Sequence, residues 1–453
     1  MDQPLISVYI TNYNYGSFIR KAIQSVLDQT IDNYELIIID DGSSDNSKDI
    51  IQEYTDLPFI QVIYQQNKGL NVSNNIALRA SKGKYIMRLD ADDYLAPNAL
   101  EVLSHRLEAD DELGLVFPDY YTVDEEGNLL ELHQRHDFKK EVKLFDQAAH
   151  GACTMIRCNF LRKLGGYNES FSCQDGYELW VKFTRHYKVQ NVNEALFFYR
   201  QHGKNLTSNE TRILTTRARI NQTYIDAESI KVAALAVIPI RNGLNSIAFE
   251  ELGGKKLIDI KIEQALKSSS LQDIVVTSPS DDVAQYIGEN YKDDRLQFIK
   301  RPKEYTRHNI PLGQTVKYIL EQKKIQQNNY NSIILLSSEF PFVEKSHIED
   351  ALNTMFLFDS DSLMSVRLES SMMFQHHGSG MVPILNQDKF NRVEREALFR
   401  NTGGITCVRM DVFMETHKML YGKIGHIVLD QKTAQGISSN YDLQLVRLIQ
   451  EQL

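Results

Sequence analysis

Short apolar runs recur along the first part of the chain, each followed by a polar break and then by apolar residues at helical spacing. Leu5 to Thr11 is the first such run. It breaks at Thr11-Asn12-Tyr13-Asn14-Tyr15-Gly16, and the spacing beyond predicts an amphipathic helix from about Ser17 to Gln29. Tyr34 to Ile39 leads to the polar turn Asp40-Asp41-Gly42-Ser43-Ser44-Asp45-Asn46-Ser47 and a helix reaching about Tyr54. Ile60 to Gln65 precedes Asn67-Lys68-Gly69-Leu70-Asn71 and a helix over Val72 to Ala80, and Tyr85 to Leu89 ends in Asp90, Asp92 and Asp93. Strand, loop and helix repeated in this order predict βαβ units and a doubly wound, nucleotide-binding type of α/β sheet. Such sheets hold ligands beyond the carboxyl ends of their strands, where this chain places its acids.

Those acids narrow the chemistry. Carboxylates gathered at the mouth of an apolar strand repel one another, and hard oxygen ligands suit Mg²⁺ or Mn²⁺. An acidic turn that merely caps the next helix is the competing explanation until the neighbouring words are read.

The pattern restarts further on. Asn205 to Ile230 is polar, with helical spacing from Thr211 to Glu228 and no proline or glycine, which predicts a helical connector. Val232 to Ile240 is again a strand, followed by Arg241-Asn242-Gly243-Leu244-Asn245, a helix through Lys267, the strand Asp273 to Thr277, a helix capped at Ser280-Asp281-Asp282, and the strand Ile333 to Leu336. Two α/β domains in tandem are therefore expected over residues 1–208 and 231–453, joined by 209–230. A chain of 453 residues exceeds one ordinary core.

Composition sets outer limits. A hydrophobic content of 42% and a charged content of 24% are those of a globular protein, and the net charge of −10 argues against nucleic acid as the main partner. No apolar run is long enough to span a bilayer, and the start of the chain lacks the pattern of a secretion signal, so the expectation is a cytoplasmic protein with at most peripheral membrane contact. The four cysteines have no ligand spacing and are expected to be reduced packing residues. His376 and His377 would point to opposite faces of a strand, a poor arrangement for holding a metal.

The words Thr11-Asn12-Tyr13-Asn14, Ile39-Asp40-Asp41-Gly42-Ser43-Ser44-Asp45, Asn67-x-Gly69 with Asn75, and Gly83-Lys84-Tyr85-Ile86 leading to Asp90-Ala91-Asp92-Asp93 stand in one order along the first half. Gly165-Gly166-Tyr167-Asn168-Glu169, Gln174-Asp175-Gly176-Tyr177-Glu178-Leu179-Trp180 and Tyr199-Arg200-x-His202 follow. In this series the chain resembles a family 2 glycosyltransferase of the GT-A fold. The resemblance implies that Thr11, Asn14, Asp40, Asp41, Asn75 and Asp90 line the donor nucleotide, that Asp92 with His202 holds a divalent cation, and that Asp175 is the general base. Asp175 would also suit capping the helix from Gly176, Asp40 and Asp45 are open between ligand contact and turn duty, and His202 is open between a site residue and a surface or structural histidine. Where many members carry Ala-Arg-Asn after the third strand, this chain has Ser73-Asn74-Asn75. An arginine is missing there, and Arg88 or Lys68 is left to compensate. Residues 110–160, with Asp119, Asp124 and His150-Gly151, are expected on the acceptor side.

The second half carries Ile238-Pro239-x-Arg241-x-Gly243, Leu252-x-Gly254-Lys255-x-Leu257-Ile258, Arg301-Pro302, Leu335-Leu336-Ser337-Ser338-Glu339-Phe340-Pro341, Arg400-Asn401-Thr402-Gly403-Gly404-Ile405 and Ile437 to Leu443. It resembles the cytidylyltransferases that activate sialic and related nonulosonic acids. Arg241, Gly243 and Asp442 would mark the remains of their nucleotide site, but Leu244 and Asn245 replace a Ser-Lys pair, Ile247 replaces a second lysine, and Ser438 stands where another acid belongs. Charged hydrogen bonds contribute roughly 1.5–3 kcal/mol each, so two missing lysines weaken triphosphate binding by about 3–6 kcal/mol.

The expectation is thus a metal-dependent, inverting transfer of a sugar from a nucleoside diphosphate sugar to a hydroxyl of a glycan or lipid-linked acceptor, in surface polysaccharide synthesis. The second domain is expected to be catalytically silent or weak and to support a homo-oligomer. The alternative is a bifunctional enzyme whose second half makes a CMP-nonulosonate sugar, and a non-enzymatic binding protein is the third reading.

Overall fold

The computed structural model describes residues 3–133, 150–202, 209–307, 309–322, 330–369, 371–378, 380–384 and 398–452. The chain divides into two compact units, Met1–Arg217 and Ala218–Leu453.

The first unit opens with the alternation read above: β1 (Ile6–Asn12), α1 (Ile19–Leu27), β2 (Tyr34–Asp40), α2 (Ser47–Gln52), β3 (Ile60–Tyr64), α3 (Leu70–Ala80) and β4 (Tyr85–Asp90). It continues with β5 (Tyr94–Leu95), α4 (Ala99–Glu108), β6 (Leu113–Val123), β7 (Leu129–His133), β8 (Met155–Arg157), α5 (Cys158–Lys163), α6 (Asp175–His186), β9 (Lys188–Arg200) and α7 (Glu210–Ala227). β1 lies between β2 and β4, parallel to both, and β3 flanks β2. Buried on both faces, β1, β2 and β4 read as nearly unbroken apolar runs, whereas the edge strand β3 is partly exposed. The sheet then changes character: β8 pairs antiparallel with β4 and β6, and β9 runs parallel to β6. The doubly wound reading of the first four strands therefore holds, and the strands beyond them make the sheet mixed. Residues 113–200 supply strands without a helix between each pair, so parallel crossovers are not required.

Two apolar layers enclose this sheet. Ile6, Val8, Ile10, Leu36, Ile38, Met87 and Leu89 face α1 and α4, while Tyr9, Ile37, Ile39, Ile86 and Phe117 face the side of α3 and α6. Trp180, the single tryptophan, is buried in the second layer with its ring edge-on to Phe117 at 5.7 Å. All four cysteines are buried and free.

The second unit contains β10 (Ala234–Pro239), β11 (Glu251–Leu252), β12 (Lys255–Lys256), α8 (Leu257–Lys267), β13 (Leu271–Ser278), α9 (Asp281–Asn290), β14 (Leu296–Lys300), α10 (Leu312–Leu320) and β15 (Ser332–Leu336). Then come α11 (Lys345–Leu357), β16 (Ser362–Glu369), β17 (Phe374–His376), β18 (Met381–Pro383), β19 (Leu398–Arg409), α12 (Met410–Thr416), β20 (Ile424–Val428) and α13 (Asn440–Glu451). Its main sheet has the order β14-β13-β10-β15-β19-β16-β20, parallel through β15 and antiparallel at β19. The division between the units falls inside α7, after Arg217. Among the described residues no helix is long and apolar enough to cross a membrane.

Candidate active site

The register of the parallel strands brings the candidate residues to one edge. Asn12 at the end of β1 lies opposite Asp40 of β2, and Thr11 lies opposite Asp90 of β4. The loops that leave this edge are stitched together. Asn12 Nδ2 donates to Asp40 Oδ2 at 2.9 Å and to Ser43 Oγ at 3.0 Å, and Ser43 N donates to Asp40 Oδ1 at 3.0 Å. Asn14 sits in the left-handed region at φ 59°, its amide donates to Ser43 Oγ, and its Oδ1 accepts from Ser44 N at 2.8 Å. Asp45 accepts from Gly16 N at 2.8 Å and from Ser47 N at 3.0 Å. Asp40 and Asp45 therefore build the rim, and Asn14 clamps it.

Asp41 reaches the next loop. Its carboxylate accepts from Lys68 N at 2.8 Å, Gly69 N at 2.9 Å and Gln65 Nε2 at 2.7 Å. The Asn75 amide is committed elsewhere: Nδ2 donates to Tyr167 O and Glu169 Oε1, both at 2.8 Å, and Oδ1 accepts from Tyr167 N at 2.9 Å. Asn75 thus holds the segment that precedes α6.

At the end of β4, Asp90 and Asp175 converge on one cation, Arg88. Arg88 Nε lies 3.0 Å from Asp90 Oδ1, and Arg88 Nη1 lies 2.5 Å from Asp175 Oδ2. Asp175 is the first residue of α6; the residue before it, Gln174, is the cap and adopts φ 65°. The capping role that the sequence offered for Asp175 is corrected accordingly, since its carboxylate is held by Arg88. Burial, only partly opposed by Arg88, pushes Asp90 up to about 6. Burial, followed by the charges of Asp92 and Asp90, pushes Asp93 well above the usual carboxylate range, and Asp93 Oδ2 is buried without a hydrogen-bond partner.

Asp92 Oδ2 and His202 Nε2 are 2.8 Å apart. The imidazole stacks on Phe18 with centroids 5.5 Å apart and meets the Tyr15 ring edge-on at 5.5 Å. Arg200, two residues earlier, donates from its backbone N to Asp93 Oδ1 at 2.9 Å and from Nε to the Asp92 carbonyl at 2.9 Å. It also reaches the carbonyls of Asp124 and Glu125. Sequence reading gave Arg200 no role, although the Tyr-Arg-x-His word contains it.

The donor set fits a divalent cation. Asp92 Oδ2 and His202 Nε2, hydrogen-bonded to each other here, are an oxygen and a nitrogen of the kinds that bind Mg²⁺ or Mn²⁺ and would have to give up that bond to do so. Clustered like charges and an unpartnered carboxylate oxygen point the same way. Among the described residues no group of three acidic, histidine or cysteine side chains forms a complete cage, so other ligands would complete the shell.

Comparison with known proteins gives the family of the first unit. Residues 7–166 match the family model Glycosyl transferase family 2. An uncharacterized glycosyltransferase of Methanocaldococcus jannaschii is 32% identical over 209 residues, which are 44% of this chain and 72% of that one. The chain belongs to glycosyltransferase family 2. Another relative, an uncharacterized glycosyltransferase of Haemophilus influenzae, is 31% identical over 264 residues, 52% of this chain and 80% of that protein. The chondroitin synthase of Escherichia coli is 32% identical over 203 residues, 45% of this glycosyltransferase chain, and the chain spans only 30% of that protein's length. Residues 242–379 match a second family model, Cytidylyltransferase.

In that second unit Arg241 and Gly243 follow β10, with Gly243 at φ 58° and an added Cβ only 3.0 Å from Ser280 Oγ. Arg301 is buried, donates to Ile240 O at 3.0 Å, and has its Nε unpartnered; burial and then Arg241 lower it to about 10. Asp442 Oδ2 accepts from Ser438 N at 3.0 Å, Ser438 Oγ at 2.7 Å and Ser439 Oγ at 2.9 Å. It stands in the first turn of α13, so the carboxylate tied to the nucleotide site by resemblance is bound up in the turn that starts this helix.

Proposed function

We propose that the first unit is a divalent-metal-dependent, inverting glycosyltransferase that moves a sugar from a nucleoside diphosphate sugar to a hydroxyl of a glycan or lipid-linked acceptor. The observation that carries this reading is the convergence of Asp90, Asp92 and Asp175 at the carboxyl edge of the sheet, with Arg88 joining two of them. Asp175 removes the proton of the acceptor hydroxyl as its oxygen bonds to the anomeric carbon. The bond from that carbon to the diphosphate oxygen breaks, and its electron pair leaves with the nucleotide. A bound Mg²⁺ or Mn²⁺ stabilises charge on the departing diphosphate. Asp92 and His202 would hold it, and Thr11, Asn14, Asp40, Asp41 and Asp90 shape the nucleoside pocket, with Asn75 acting through the Tyr167 segment. One base, Asp175, with Asp90 and Asp92 assigned to donor and cation and no nucleophile assigned among the described residues, favours a single displacement with inversion.

The chondroitin synthase relative supports a place in polysaccharide building, at the cytoplasmic face of a membrane when the acceptor is lipid-linked. The test is turnover of a panel of UDP-, GDP- and CMP-sugars by the full chain with Mn²⁺ or with EDTA, with the anomeric configuration of the product read by NMR. Undiminished transfer in EDTA, or retention at the anomeric carbon, defeats the reading.

We propose further that the second unit binds an anionic ligand through Arg241 and Arg301 without efficient nucleotidyl transfer. The pairing of Arg241 and Arg301 beside the loop after β10, where each charge disfavours the other, supports binding of an anion, and the engagement of Asp442 at α13 supports the loss of turnover. Brisk pyrophosphate release from CTP and nonulosonic acids would favour the bifunctional alternative. Exposed Phe374 and Met381 on the β17–β18 hairpin, with Met373 just before it, support a homo-oligomer through this unit, and sedimentation of a Met381→Asp variant as a smaller species than wild type is the expected result.

A further inference from the structure

Arg88 stands on β4 two positions before the first acid, and its side chain is 5% exposed. Nη1 meets Asp175 Oδ2 at 2.5 Å, while Nε and Nη2 lie 3.0 Å and 3.4 Å from the two oxygens of Asp90. A guanidinium cannot shed its proton in a protein, so one buried cation serves two carboxylates from separate elements. Burial opposes that charge, but Asp175 and Asp90 more than offset it and hold the group charged.

The pair is enclosed on more than one side. The Tyr9 and Tyr167 hydroxyls are 3.2 Å apart, Tyr9 donates to Asn74 Oδ1 at 3.1 Å, and both tyrosines feel the charges of Arg88 and Asp175. Gly151 closes over it: a Cβ there would stand 2.6 Å from Arg88 Nη2 and 2.7 Å from Asp175 Oδ2. Asp175 Oδ2 is thereby occupied, whereas Oδ1 accepts no hydrogen bond among the described residues.

Taking Asp175 as the base, as proposed above, we infer that Arg88 is its positioning residue, fixing the carboxylate through Oδ2 so that Oδ1 alone receives the acceptor proton. The O–H bond of the acceptor breaks, the proton passes to Oδ1, and Asp175 becomes neutral. Arg88 then keeps Asp90 as its counter-ion, so the buried cation is not stranded during the transfer. The ion pair also ties the orientation of the base to Asp90 on the donor side.

The test uses the full chain, nucleoside diphosphate release from a pool of UDP- and GDP-hexoses with Mn²⁺, and UDP binding by calorimetry. Arg88→Met is expected to lower turnover by about 100-fold, the cost of a misplaced catalytic group, with a several-fold smaller loss of UDP affinity through its other partner, Asp90. Arg88→Lys, which keeps the charge and the fold but reaches only one carboxylate, is expected to recover part of that loss. Arg88→Met in an Asp175→Asn background is expected to cost almost nothing more, because the two residues act as a unit. Wild-type turnover in either Arg88 variant alongside an inactive Asp175→Asn overturns the positioning role alone. UDP affinity falling in step with turnover also overturns it, by making Arg88 a donor ligand. Full activity in Asp175→Asn overturns the base reading itself.

Discussion

His202 meets Asp92 at 2.8 Å across 110 residues of sequence, from the end of the long strand β9 to the turn after β4. Phe18 and Tyr15 fix the plane of the imidazole, and Arg200 holds the Asp92 carbonyl and the Asp93 side chain from the same strand end. One segment thus orders both acids. Partners that orient a ligand typically contribute 10- to 100-fold in metal affinity, so His202→Ala should raise the Mn²⁺ concentration for half-maximal turnover by about that factor. Asp92→Asn should do more. An unchanged Mn²⁺ midpoint in His202→Ala would remove the histidine from the cation site.

Gly151 has an ordinary backbone, so the demand for glycine there is one of space. A methyl group would meet the Arg88 and Asp175 side chains at 2.6 Å and 2.7 Å, closer than such contacts allow. Gly151→Ala should therefore push the two apart and lower turnover by up to about 100-fold, while UDP still binds. Parallel measurement of diphosphate release and UDP affinity checks this; equal losses in both would indicate general disruption of the unit.

The strand ends with their acids were legible because β1, β2 and β4 are buried on both faces, which leaves an apolar run and a sharp polar stop. The division of labour among the acids was not. Asp40 and Asp45 are distinguished from Asp90 and Asp175 only by hydrogen bonds between loops distant in sequence, and Asn75 by a segment 92 residues away. Arg88 was a candidate only because Asn74 stands where many relatives carry arginine; its pairing with Asp175 spans 87 residues. The mixed half of the first sheet was also hidden, since aromatic runs such as Phe197-Phe198-Tyr199, which pair parallel with β6 and antiparallel with β5, carry no helix period to mark their partners.

Gly288 lies inside α9 with nothing within 4 Å of an added Cβ and without a positive φ. Alanine there loses less backbone entropy on folding and meets no obstacle. Gly288→Ala should stabilise the second unit by about 0.5–1 kcal/mol, read as a higher denaturation midpoint with unchanged slope. A lower midpoint would show that the helix interior needs glycine for packing.

Lys261 on α8 is fully buried and donates to the carbonyls of Phe340 and Val343, each at 2.9 Å. Burial lowers its amine to about 7, with Glu344 opposing the shift. Above about 10.4, the ordinary lysine value, the amine is neutral in both folded and unfolded chains. As the pH falls from there towards 7 the unfolded chain takes up the proton first, so stability declines through that window and levels off below it. Raising the pH from 7 to 9 should thus stabilise wild type relative to Lys261→Met, whose side chain cannot titrate. The difference in denaturation midpoint between the two chains, followed across that range, measures the effect. A difference that stays constant with pH would mean that Lys261 is charged in the folded protein, held by its two carbonyls against the cost of burial.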